Sequence, residues 1–151
     1  MNEQLRRLQA REEVLDALND LFVGTDAREW DRVRAVLAPT VRFDVKSLTG
    51  AEPTTLGSEE IISGWERGLR PIRAVHHQTG NFRVRVSGDE ADAFCYGIAS
   101  HYLPHASGRN TRVFVGSYDF HLRRENGRWR IDLFRFNLKY IDGNLELEKE
   151  R

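Results

Sequence analysis

From residue 74 to about 141 the chain is written at period two, and strands of that length leave few folds open. Phe82, Val84 and Val86 alternate with Arg83 and Arg85, the pattern of a strand with one buried face. Three more such runs follow, set apart by turn signals. Ser87-Gly88-Asp89-Glu90 and Asn126-Gly127 read as hairpin turns, and residues 104–110, opened by Pro104, read as a longer loop. Each strand would run about a dozen residues, against a usual length of roughly 5–6. Strands that long must twist and bend, with bulges as the usual means. A bulge is expected near Phe134. Trp129, Ile131 and Leu133 are apolar at odd positions, whereas Phe134, Phe136, Leu138 and Tyr140 are apolar at even ones.

The residues before 74 read as helices that could lie across this sheet. A first helix over 2–23 would bury Leu5, Leu8, Leu15, Leu18 and Phe22 and stop at Gly24. Asp26, with Glu29 three residues on, reads as the cap of a second helix that buries Trp30, Val33 and Leu37 and ends at Pro39. Val41, Phe43 and Val45 alternate with Arg42, Asp44 and Lys46 as a short strand, and 49–56 reads as a loop. Ser58 then caps a third helix carrying Ile61, Ile62, Trp65 and Leu69, stopped by Pro71. Three helices on the concave side of a bent, mostly antiparallel sheet give an α+β cone, which is a container.

A chain of 151 residues is expected to form one domain, 1–151, with a core over about 5–142 and a charged tail over 143–151 that frays from Glu146 onward. Acidic and basic residues balance at 23 each, which gives no reason to expect nucleic acid or a membrane surface as partner. The single Cys95 rules out an internal disulfide and fits a reducing cytoplasm. No run is long and apolar enough to span a bilayer, and the polar start is not that of a signal peptide. There is no phosphate-binding glycine loop or nucleotide fingerprint, so no cofactor is expected.

Between 91 and 99 one strand face carries only Ala91, Ala93, Cys95, Gly97 and Ala99. Such a row either lets a helix approach closely or leaves room for a ligand. Phe43, Trp65, Cys95, Tyr118 and Phe134 are candidate walls of a pocket, or plain core. His77 could serve as a general base, or be a buried histidine bonded to a backbone carbonyl. His76, its neighbour on the strand, points to the opposite face, so the two cannot readily share a metal. His101 and His105 have a helical spacing that Pro104 argues against, which disfavours a zinc site. His121 reads as a surface or interface residue. Arg83, Arg85, Arg112, Arg123, Arg124, Arg128 and Arg130 read as a solvated or dimer-forming sheet face.

Several of these joints carry a resemblance. Leu21-Phe22-Val23-Gly24-Thr25-Asp26 leaves the first helix, His77-Gln78-Thr79-Gly80-Asn81 opens a strand, and Gly116-Ser117-Tyr118 leads through Arg123-Arg124-Glu125-Asn126-Gly127 to Trp129. In this order they resemble the SnoaL-like branch of the nuclear transport factor 2-like superfamily, nearest the scytalone dehydratase and hexachlorocyclohexane dehydrochlorinase group. The resemblance implies the cone fold and a catalytic dyad of His77 and Asp26. It also implies cofactor-independent acid–base chemistry, of the dehydratase, isomerase or eliminase type, on a small, largely apolar molecule. Tyr118 or Asn137 would bond a substrate oxygen, and Arg135 would join the pocket if the bulge turns it inward. Apolar Leu21 stands where the dehydrochlorinase has a lysine. A homodimer or higher homo-oligomer through the outer sheet face is implied as well. The alternatives are a non-catalytic module that binds a small molecule or a protein, and an accessory subunit of a larger oxygenase.

Overall fold

The computed structural model describes residues 1–149. Helix α1 (Glu3–Ala27) is capped by Asn2, whose Oδ1 accepts the Leu5 N–H at 2.9 Å. Its buried stripe is Ala10, Val14, Ala17, Leu18, Leu21 and Phe22. Leu5 and Leu8 are half exposed, at 51% and 55%, so the expected face was rotated too far toward the large residues. Small Ala10 and Ala17 mark the packed side because they let the helix lie close to its neighbours. The helix also runs past Gly24. A Cβ there would sit 3.1 Å from Val33 Cγ2, so this glycine serves the approach of the next helix and does not end the first. Arg28, left-handed at φ 57°, ends it.

Helix α2 (Trp30–Val36) has Glu29 at its N-cap and no side-chain cap. Asp26 therefore does not cap it. Leu37 already belongs to β1 (Leu37–Asp44), and Pro39 lies in the irregular part of that strand, between the Leu37–Ile131 and Arg42–Leu133 pairings. The expected loop 49–56 overlaps the one-turn helix α3 (Lys46–Thr49) and contains most of the edge strand β2 (Thr54–Gly57). Helix α4 (Ser58–Leu69) begins where expected, but Gly57 is its N-cap, with its N–H donated to Glu60 Oε1 at 3.0 Å.

The second half is the expected meander of β3 (Ala74–Ser87), β4 (Glu90–Tyr102), β5 (Thr111–Glu125) and β6 (Arg128–Gly143). Asn126 and Gly127 both have positive φ, 51° and 75°, as a tight hairpin turn requires. The sheet order is β2-β1-β6-β5-β4-β3, and only β1–β6 is parallel. Besides the irregular part of β1, three bulges bend it. β3 has an extra residue around Asn81 (φ 55°), and β6 has one at Asp132 and another at Lys139. The Asp132 bulge is the expected phase change, and it turns Phe134 and Phe136 to the helix side. The result is a curved, mixed, six-stranded sheet with the helices packed in its concavity.

Residues 144–149 correct the expected frayed tail. Leu147 is fully buried with Ile72, Val75 and Leu103 in a second cluster beside the main core. Positions 150 and 151 of that expected tail lie outside the described residues. Among the described residues no helix is long and apolar enough to cross a membrane.

Candidate functional site

The last turn of α1 lies against the start of β3, and this brings Asp26 to His77. Asp26 Oδ2 accepts the His77 backbone N–H at 2.8 Å, and Oδ1 is 2.6 Å from His77 Nδ1. Both carboxylate oxygens are thus committed to one residue. A carboxylate only accepts, so Nδ1 carries the proton and Nε2 keeps its lone pair. Arg28 fixes the joint by donating to the carbonyls of Leu69 (3.2 Å) and Ile72, in the turn before β3. His76 faces the other way, exposed, 3.2 Å from Gln78 Oε1.

His77 opens onto a cavity of about 230 Å³ inside the cone. Phe22, Phe43, Trp65, Phe114, Phe134 and Phe136 are among the residues that wall it. Leu21 adds a further apolar group to the lining. Phe43 and Phe134 are stacked, with centroids 5.3 Å apart, and Phe22 lies 5.3 Å from the His77 ring. Two glycines make room for the aromatic lining. A Cβ on Gly97 would be 2.3 Å from the Tyr118 ring, and one on Gly116 would be 2.9 Å from Phe136 Cζ. The row of small residues on β4 is divided between core and cavity. Ala91, Ala93 and Cys95 are buried in the core, whereas Ala99 borders the cavity.

The polar groups on this lining are few: His77, His101, Tyr118 and Thr25. Thr25 Oγ1 donates to Leu21 O at 2.7 Å. Tyr118 is buried, which raises its phenol pKa, and its hydroxyl makes no hydrogen bond among the described residues. It stays a phenol, able to donate.

His101 is the site residue that sequence reasoning missed. Continuing the small-residue row of β4 by one more odd position reaches it, so its inward direction was there to be read. Val75 pairs with His101 and His77 with Ala99, which makes the two imidazoles diagonal neighbours on one sheet face. Arg112 Nη2 donates to His101 Nδ1 at 3.1 Å. A guanidinium cannot accept, so Nδ1 is the lone pair here and the proton sits on Nε2. Burial, then the charges of Arg112 and His77, push the His101 pKa down to about 4, opposed in part by Glu148 and Asp26. The cavity thus holds two imidazoles in opposite tautomers, one presenting an acceptor and one a donor.

Of the expected pocket residues, Phe43, Trp65, Tyr118 and Phe134 line the cavity, and three do not. Cys95 is fully buried beneath the lining, and burial pushes its thiol up to about 12. Arg135 and Asn137 alternate with Phe134 and Phe136 and so point out of the cone. Arg135 Nε donates to Asp44 Oδ2 at 2.9 Å, and Asn137 Nδ2 donates to Asp119 (2.9 Å) and Ser117 (3.2 Å). The bulge lies before Phe134, and it turned the phenylalanines inward and not the arginine. The arginine stripe is also broken up. Arg112 is nearly buried against Glu148, Arg124 pairs with Asp89, and Arg123 and His121 share Glu90 and Asp132 on the outer face.

A family model described as the SnoaL-like domain matches residues 6–135. Scytalone dehydratase of Pyricularia oryzae is 29% identical over 110 residues, which cover 69% of this chain and 60% of that enzyme, so the match spans less than two thirds of the relative's length. Among solved structures, a protein from Kribbella flavida superposes with a TM-score of 0.86 at 24% identity, covering 92% of this chain and 96% of the other. A type 2 hexachlorocyclohexane dehydrochlorinase superposes at 0.78 and 19% identity, covering 94% and 93%. The fold is that of the nuclear transport factor 2-like superfamily.

Proposed function

The chain belongs to the SnoaL-like domain family, and on that premise we propose that it is an acid–base enzyme of the dehydratase, isomerase or eliminase type, working without a cofactor on a small, largely apolar molecule. The observation that carries this reading is the double grip of Asp26 on His77 at the edge of an aromatic cavity. The cavity's 230 Å³ falls below the roughly 300–1,000 Å³ of sites for drug-sized ligands, which favours a compact substrate.

His77 Nε2 takes a proton from a carbon next to a carbonyl or similar acidifying group. The imidazolium that forms is stabilised by Asp26 at Nδ1. In an elimination the C–H pair becomes the new double bond, the bond to the leaving oxygen breaks, and that oxygen takes up the proton held on His77 Nε2 to leave as water, which returns the imidazole to its neutral form. The His101 Nε2–H and the Tyr118 hydroxyl are donors suited to meet the oxygen on which charge develops. General-base help of this kind contributes about 10²–10⁴ in rate, and orientation in a dry cavity supplies more.

The same reading includes a cytoplasmic homodimer or higher homo-oligomer formed through the outer sheet face, where Tyr96, Ile98 and Tyr140 are exposed at 45%, 45% and 56%. A non-catalytic binding module would use the same cavity without the proton transfer. Deuterium exchange separates the two. The protein is incubated in heavy water with a panel of small aryl ketones and hydroxyketones, and label at the α-carbon is read by mass spectrometry. Incorporation that is lost in His77→Ala and Asp26→Asn supports the enzyme; incorporation unchanged in both variants, or seen with none of the panel, removes it.

A further inference from the structure

His101 owes its orientation to a part of the chain that carries no chemistry of its own. Residues 144–149 fold back after β6. Asn144 Nδ2 donates to Arg109 O at 3.0 Å, and Leu147 fills the second cluster alongside Leu69, a residue that also borders the cavity. This anchoring delivers Glu148 to Arg112 in a two-point pairing, Nη1 to Oε2 at 2.8 Å and Nη2 to Oε1 at 2.6 Å. The same Nη2 reaches His101 Nδ1.

We propose that Glu148 and Arg112 are positioning residues: the segment 144–149 acts as a strap whose carboxylate aims the guanidinium at His101, so that this ring turns an N–H toward the cavity. The inference rests on the reading that His101 serves the proposed reaction as a donor. A forked carboxylate–guanidinium pair fixes the plane of Arg112 as well as its position. The Arg112 side chain is 14% exposed, its Nε is buried with no partner among the described residues, and its guanidinium carbon lies 5.4 Å from the Phe114 centroid. Glu148 is therefore what holds its aim. Asp26 and Arg112 play matching parts with opposite sign. An anion at Nδ1 leaves His77 a lone pair at Nε2, and a cation at Nδ1 leaves His101 a proton there.

A plain fastener for the strap would leave the His101 ring unchanged when cut, and nitrogen-15 shifts of that ring across a pH titration tell the two apart. The charged groups facing His101 are Arg112 and His77, which disfavour its imidazolium, and Glu148 and Asp26, which favour it. In the native protein the ring should show an acceptor at Nδ1, an N–H at Nε2, and a midpoint near 4. Arg112→Met should raise the midpoint toward the ordinary 6.5 and move both nitrogen shifts toward tautomer averaging. Glu148→Ala separates charge from aim. Loss of its charge alone would lower the midpoint and leave the nitrogens distinct; loss of aim averages them. Averaging in Glu148→Ala, with the His77 resonances unmoved as the control for folding, is the expected result. Distinct, unshifted His101 nitrogens in a folded Glu148→Ala protein overturn the proposal, even if Arg112→Met does not fold. The readout needs no substrate, so that failure would leave the His77–Asp26 reading standing, and failure of that reading appears instead in the deuterium exchange.

Discussion

His77 and His101 stand on neighbouring strands, one diagonal step apart on the same sheet face, and their Nδ1 atoms meet opposite partners, a carboxylate and a guanidinium. Two identical side chains are thereby given different hydrogen-bonding roles by what lies behind them.

The depressed His101 pKa makes folding stability depend on pH. An unfolded histidine takes its proton near 6.5, whereas the folded one resists until about 4. The native state therefore binds fewer protons in that interval, and stability falls as the pH drops from 6.5 toward 4. Urea midpoints at several pH values should show this decline, and His101→Gln should flatten it. An equally steep decline in His101→Gln would assign it to other groups.

Gly97→Ala should destabilise the protein by about 1–3 kcal/mol, because the new methyl collides with the Tyr118 ring and the ring must move into the cavity. Thermal unfolding gives the cost, and a crystal structure of the variant should show a narrower cavity. A variant with unchanged stability and an unmoved Tyr118 would contradict the packing described.

Ala99→Leu places extra carbon in the cavity without burying a polar group. Stability should fall by at most about 1–3 kcal/mol, the usual cost of added methylenes, while any turnover found in the exchange screen should be lost. Turnover surviving in a stable Ala99→Leu protein would locate the chemistry elsewhere.

Leu147→Ala should cost about 2–5 kcal/mol, the usual range for truncating a fully buried leucine. A frayed segment would lose almost nothing, so denaturant unfolding distinguishes the two directly.

How far the sequence could be read depends on whether a feature is local. The long alternating strands, both hairpin turns and the bulge before Phe134 were legible because period two and turn chemistry are written in neighbouring residues. The end of α1 was not, because Gly24 looks like a helix stop and is instead a contact with Val33. The α1 face was misjudged because Ala10 and Ala17, not the outer leucines, lie against the core. The pairing of Asp26 with His77 was expected only through family resemblance; its residue types alone suggested a helix cap. Arg135 and Asn137 fell outside the cavity because a single bulge fixes which parity faces inward, and it chose the phenylalanines. The Arg112–Glu148 pairing joins residues 36 apart across a fold-back that no local pattern announces.

The backbone bond from His77 to Asp26 has a bearing on strand alignment. Adjacent positions on β3 face opposite ways, so sliding it by a single residue would bring His76 or Gln78 to the helix end and send His77 into solvent. Asp26 grips the main chain and the imidazole of the same residue, and both bonds form together at only one setting of the strand. The carboxylate that holds the imidazole thus also checks that the right residue has been delivered, and a misthreaded sheet would lose both bonds at once.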